Sequence, residues 1–243
     1  MTAWMAAAVN FRPRFGKIAD NLERIEAWVA ELDGRGATLI CFPELAVTGY
    51  DRTEAIRDLA QLVPGPAADR LAAMAQRWRV DVLAGLPGVD AAANLDITQV
   101  VAGADGSVAV YRKLHLNAPE QAVFRAGDDL GVFRRPGLIC GVQLCYDAHF
   151  PELSALQALA GADLLYCNLV GEGPRGQRFG GVALALAPKG ELLASHEGWD
   201  EGYVLETEDT EALRRIRNTV MCPTGGTIFI GVLADRRGAR RAP

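Results

Sequence analysis

A carboxylate, an amine and a thiol each stand just past an apolar, strand-like run of this 243-residue sequence. Glu44 follows the run at 37–42, Lys113 follows a run ending near Tyr111, and Cys145 follows the run ending at Leu144. Together these three types form a set for acyl transfer. A thiol becomes a strong nucleophile once its proton is removed, and a carboxylate can take that proton. The tetrahedral intermediate is an oxyanion, which needs positive charge or N–H donors beside it. Lys113 would supply the charge. The backbone N–H of Tyr146, entering the turn before a helix that starts at Pro151, would supply a donor. That helix start and the lysine would both favour the thiolate.

Each residue alone has a plainer reading. Lys113 beside Arg112 is an ordinary solvated charge, Glu44 a carboxylate satisfying a helix start, and Cys145 a small buried hydrophobe. Their shared placement argues otherwise, because ligands of α/β sheets gather at the carboxyl ends of strands. His149, four residues after Cys145, raises a Cys–His dyad; the helix at Pro151 begins only after it, which disfavours that pairing. Asp147 and Glu152 read as structural partners around the turn. Cys41, Cys140, Cys167 and Cys222 read as buried small hydrophobes.

The elements that must position these groups follow from periodicity. Leu22, Ile25, Trp28, Val29 and Leu32 share one face of a helix over 21–32, stopped near Gly34. The run 37–42 is a buried strand bounded by Gly36 and Pro43. Pro66 opens a second helix with Leu71, Met74, Ala75 and Trp78 inward, and 80–83 is the next strand. Two hairpins share one plan: 97–102 with 107–111 around the turn 103–106, and 182–187 with 191–195 around 188–190. Between them the strand Leu138–Leu144 runs into a helix over 151–160, stopped by Gly161. This doubling predicts two sheets face to face with helices outside, a four-layer α-β-β-α sandwich.

Composition sets the wider class. Apolar residues are 50% and charged residues 23%, a globular balance that suits one large domain over 1–243. The net charge of −5 argues against a nucleic-acid partner. The basic cluster Arg236, Arg237, Arg240 and Arg241 reads as a frayed tail. Five cysteines without a CxxC pair fit reduced thiols in a cytoplasm better than a disulfide frame. Three histidines with no ligand spacing predict no metal site. The N-terminus lacks the basic start of a signal peptide, and no apolar run approaches the ~20 residues of a membrane span.

The segments FPELAVTGY at 42–50, YRKLHL at 111–116 and CYDAHFPE at 145–152 carry a family resemblance. They resemble the nitrilase, or carbon–nitrogen hydrolase, superfamily, in the same order and as far as about Arg217. The resemblance implies the α-β-β-α sandwich, a Glu–Lys–Cys triad at Glu44, Lys113 and Cys145, and no cofactor. It further implies that Glu120 positions substrate, although the spacing to it is one residue short. A small-molecule amide or N-carbamoyl compound is the implied partner, since nitrile-cleaving relatives more often read Cys-Trp-Glu where this chain has Cys-Tyr-Asp. A homo-oligomer is compatible with it.

The chain also departs from the family. One helix-plus-strand crossover, about 30 residues by the usual size of such units, is absent where Leu165 runs into Tyr166. The family's arginine after the FPE motif is missing, with Ser154 and Ala155 after Leu153. The segment 221–233 is apolar where relatives have a charged tail, so residues 218–243 form an atypical end. An absent crossover leaves apolar surface exposed, and the expectation is that the segment 224–233 covers it. The rival function is a catalytically weakened relative that binds a small molecule or partner. A cysteine-based redox or metal protein is disfavoured by the absent CxxC and the histidine spacing.

Overall fold

The computed structural model describes residues 4–136, 138–167, 171–186, 192–208 and 229–231. Strand β1 (Trp4–Asn10) leads through helix α1 (Ile18–Asp33) to β2 (Leu39–Cys41), and helix α2 (Pro66–Trp78) leads to β3 (Asp81–Val89). The hairpin β4 (Leu95–Ala102) and β5 (Val108–Arg112) is followed by the short helix α3 (Ala118–Gln121). Then come β6 (Val132–Arg135), β7 (Leu138–Leu144), helix α4 (Pro151–Leu159) and β8 (Asp163–Cys167). A small ribbon of β9 (Gly171–Glu172) and β10 (Arg178–Phe179) precedes the pair β11 (Gly181–Leu186) and β12 (Leu192–Gly198). The last strands are β13 (Gly202–Glu208) and β14 (Phe229–Gly231).

Two six-stranded mixed sheets result, ordered β13-β1-β2-β3-β4-β5 and β12-β11-β14-β8-β7-β6. Strand alternation divides the first sheet's side chains between two cores. Val9, Ile40, Val82, Leu86 and Val100 face outward onto Ile25, Val29, Leu32, Leu71 and Met74 of α1 and α2. Leu39, Leu83, Ile97 and Val101 face inward and meet Leu138, Val142, Leu144, Ala183 and Ala185 of the second sheet. Helix α4 packs on the outside of the second sheet against β8. The layering is the expected α-β-β-α sandwich.

Several elements differ from their sequence reading. Helix α1 starts at Ile18 rather than Asn21, because the buried Asn21 amide is spent on Arg14 and Val47 backbone groups instead of capping. The strand read at 80–83 extends to Val89. Strands β1, β6 and β13 were not anticipated; β13 returns from far along the chain to pair antiparallel with β1. The turn expected at 188–190 lies outside the described residues.

Of the segment 224–233, expected to cover a face, only residues 229–231 are described. Its described part, β14, lies in the plane of the second sheet, with Ile230 opposite Leu165 of β8 in parallel pairing. Its other edge pairs antiparallel with β11, Phe229 opposite Leu186 and Gly231 opposite Leu184. Without it, the facing edges of β8 and β11 would each present an open row of backbone donors and acceptors. The reading of five reduced thiols is also corrected, since Cys41, on β2 at the inter-sheet core, is disulfide-bonded. Sequence spacing could not reveal this, because tertiary packing chooses which thiols meet.

Candidate active site

Glu44 leaves the carboxyl end of β2 three residues past Cys41, on a turn pressed against β3. A Cβ at Gly85 of β3 would lie 2.3 Å from Leu45 N and 2.6 Å from Glu44 Cα, so only glycine admits this approach. The neighbouring Leu45 has φ 51°, a left-handed value that a leucine rarely adopts. Gln99 of β4 donates from Nε2 to Phe42 O at 2.8 Å and fixes the entry to the turn. Lys113 is the residue after β5, and its N–H donates to Ile97 O at 2.9 Å. Glu120 sits in α3, where it and Asn117 form a reciprocal capping box.

Glu44, Lys113 and Glu120 are all fully buried. Lys113 Nζ donates to Glu44 Oε2 at 2.9 Å and to Glu120 Oε1 at 3.0 Å. An ammonium has three N–H groups, so a third is left for another acceptor. The two carboxylates differ. Glu120 Oε1 also accepts Tyr50 Oη at 2.9 Å, and its Oε2 accepts the Asn117 N–H at 3.0 Å. Glu44 bonds Lys113 through Oε2, while Oε1 is buried with no nitrogen or oxygen donor upon it among the described residues. The Cys145 thiol lies close enough to this carboxyl and to Lys113 for each to act on the others' ionisation. Both oxygens of Glu120 are thus engaged, one of them by the lysine, whereas Glu44 keeps an oxygen for proton transfer.

Cys145 begins a 3₁₀ turn, Cys145–His149, at the carboxyl end of β7. Its φ is 44°, so the strained left-handed region falls on the thiol-bearing residue itself. Burial pushes the thiol well above its ordinary range, Glu44 and Glu120 push it the same way, and Lys113 opposes them. Burial also raises the Glu44 carboxyl against the pull of Lys113. Burial alone would lower Lys113, but Glu44, Cys145 and Glu120 outweigh it and hold the amine protonated, well above its usual value. The site thus brings a thiol, an amine held protonated and the Glu44 carboxyl together.

Tyr146 follows Cys145 on the first turn, where N–H groups lack partners within the turn; its ring packs on His149 and Phe150. His149 is exposed, against the dyad. Tyr50 was missed as a site residue. It closes the motif that begins at Phe42, but nothing in spacing says that its hydroxyl meets a glutamate 70 residues on. Burial and the glutamates raise the Tyr50 phenol, which keeps it a neutral donor. Through Tyr50 the cluster borders a cavity of about 630 Å³, lined also by Arg12, Phe15, Arg24, Phe179 and Glu201.

Residues 5–181 match the family described as Carbon-nitrogen hydrolase. A nitrilase of Pyrococcus abyssi is 32% identical, covering 87% of this chain and 92% of its own length. An ω-amidase of Mus musculus is 31% identical over 60% of this chain, and the match spans 56% of that protein. The match to a probable nitrilase of Schizosaccharomyces pombe, 29% identical over 69% of this chain, spans 64% of that relative. The match therefore spans less than two thirds of the latter two relatives. Among solved structures, a mutant amidase of the nitrilase superfamily from Nesterenkonia AN1 superposes with TM-score 0.77, 24% identity, and 88% and 94% coverage of the two chains. Saccharomyces cerevisiae Nit3 superposes with TM-score 0.80, 18% identity, and 90% and 95% coverage.

Proposed function

Because the chain belongs to the carbon–nitrogen hydrolase family, the nitrilase superfamily, we propose that it hydrolyses a small linear amide or N-carbamoyl compound through a Cys145 thioester, releasing ammonia. The observation that carries this reading is the fully buried Glu44 carboxyl, bonded through one oxygen to Lys113 Nζ, with the half-buried Cys145 thiol close beside both. Glu44 accepts the thiol proton as sulfur bonds to the carbonyl carbon. The resulting oxyanion takes the third N–H of Lys113 and the backbone N–H of Tyr146. Glu44 then gives its proton to the departing nitrogen as the C–N bond breaks. A water deprotonated by Glu44 attacks the thioester, the acid leaves, and sulfur regains its proton. Glu120, with both oxygens engaged, holds Lys113 in place and sets the substrate against it.

The names of the relatives divide between nitrilase and amidase; the Cys-Tyr-Asp sequence at 145–147 is what favours an amide. The proposal places the enzyme in the cytoplasm as a single domain over 1–243, needing no cofactor and compatible with a homo-oligomer. Among the described residues no helix is long and apolar enough to cross a membrane.

A mass-spectrometric screen of linear amides and N-carbamoyl compounds tests it. The expected result is ammonia release together with a trapped acyl adduct on the peptide carrying Cys145. Tight binding of a panel member with neither ammonia nor adduct would instead favour a chain that binds the ligand without turning it over.

A further inference from the structure

Two residues past Cys145 lies another fully buried carboxylate, Asp147, which takes no part in the steps above. It accepts four hydrogen bonds. Oδ1 takes the His115 backbone N–H at 2.9 Å and the His115 Nδ1 at 3.0 Å. Oδ2 takes the Tyr111 hydroxyl at 2.7 Å and the Leu144 N–H at 3.0 Å. The donors are not scattered. Tyr111 and His115 stand two residues before and two after Lys113, while Leu144 immediately precedes Cys145. One carboxylate thus grips the lysine's segment on both sides and the nucleophile's turn at its start.

Further contacts tighten the grip. The His115 ring stacks on Phe150, centroids 3.7 Å apart and planes within 10°, where the turn passes into α4. Tyr111 is itself fully buried at the end of the first sheet. Left-handed backbone at a non-glycine residue costs on the order of 1–3 kcal/mol and persists only where its surroundings over-determine it. Cys145 is such a residue, and the bonds to Asp147 are what surround it.

We propose that Asp147 is a positioning residue that locks the strained Cys145 turn of one sheet to the Lys113 strand of the other, setting the thiol-to-ammonium distance. The proposal rests on the amidase reading for its rate measurements but not for its chemical ones. Its chemistry demands a carboxylate. An Asn at this place would turn an NH₂ toward either the Leu144 N–H or the His115 N–H, and neither backbone donor can become an acceptor.

The test is Asp147→Asn in the full chain, with Tyr111→Phe beside it, which removes one bond and leaves the carboxylate. Misplacing a reacting group by about 1 Å costs up to roughly 10²-fold in rate. For Asp147→Asn we expect kcat to fall by about that factor with KM changed by less than about threefold, the signature of misalignment rather than lost binding. Tyr111→Phe should lose several-fold in kcat. The second readout is the pH profile of iodoacetamide alkylation at Cys145, which requires no turnover. With the thiol further from Lys113, its inflection should move to higher pH in both variants. A merely structural carboxylate would lower the melting temperature and leave the profile of the folded protein alone. Folded Asp147→Asn with unchanged kcat and unchanged profile would overturn the proposal. Should that variant fail to fold, an unaltered Tyr111→Phe on both readouts overturns it equally. If wild type turns over no amide, the alkylation profiles still decide the positioning role.

Discussion

The two sheets are built to different standards. The first has two helices over an apolar outer core, and its end carries Glu44, Lys113 and, through α3, Glu120, all with no exposure. The second has α4 packed on its outer face, and that contact contains amides: Gln157 Nε2 donates to Leu130 O and Val142 O, and Gln143 Nε2 donates to Gln157 Oε1. Leu156 and Leu159 of α4 stay 47% and 61% exposed. One of its inner strands, β14, comes from more than 60 residues beyond β8 in the chain. The difference teaches a division of labour. The first sheet supplies a rigid, dry charge cluster, where electrostatic stabilisation is strongest. The second supplies a strained, partly exposed thiol that must be tied to it.

The sharpest way to break the comparison is one substitution on each side. Cys145→Ala should cut amide turnover by several orders of magnitude, as loss of a covalent nucleophile does, while the melting temperature holds. Lys113→Met should reduce kcat by roughly 10²–10³-fold and also destabilise the fold by about 3–5 kcal/mol. It removes the counterion that Glu44 and Glu120 share. Thermal melts alongside ammonia assays check both. A Lys113→Met protein as stable as wild type would mean that the first sheet does not depend on its charge cluster.

Truncation after Arg217 removes β14 and leaves β8 and β11 with unpaired edges. A clear drop in melting temperature is expected, with amide hydrogen exchange accelerating at β7, β8 and β11 while β1 to β4 stay protected. Uniform exchange across both sheets would erase the distinction between them. Gly85→Ala is the matching probe of the first sheet. The added Cβ collides with the Glu44 turn, so a loss of about 1–3 kcal/mol by overpacking and roughly 10²-fold in kcat by misplacement should appear together. An unchanged kcat would show that the turn yields without moving its carboxylate.

The smallest effect is a shift in titration. Burial and the Glu44 charge hold the Cys145 thiol up, and Lys113 pulls it down. Glu44→Gln removes one upward influence and leaves the lysine less opposed. The pH midpoint of Cys145 alkylation should therefore move down, even as turnover is lost with the base. A midpoint that stays or rises would mean that Glu44 is not the charge beside the thiol.

Much of this was legible in the chain. Helix α2 runs from Pro66 because a proline costs nothing at a helix start, where its missing N–H would have had no partner. Strand β7 spans Leu138–Leu144 because a mostly apolar run, broken only by Gln143, suits a strand buried on both faces. Glu44, Lys113 and Cys145 stood out because each follows such a run, and a strand's end is where a side chain leaves the rigid sheet. These are local facts, and local periodicity carries them.

What the chain did not disclose depends on partners distant in sequence. Glu44 and Glu120 are chemically alike in the sequence; only packing put Tyr50 and the Asn117 N–H on one and left the other an oxygen facing the thiol. Asp147 read as a turn residue because its partners, Tyr111 on β5 and His115 just past it, leave the end of the other sheet. The segment 224–233 announced its apolarity but not that its residues 229–231 would pair within the second sheet. Hydrophobic pattern sets which groups leave water; which groups they then meet is decided by hydrogen bonds and contacts that exist only once both sheets are in place.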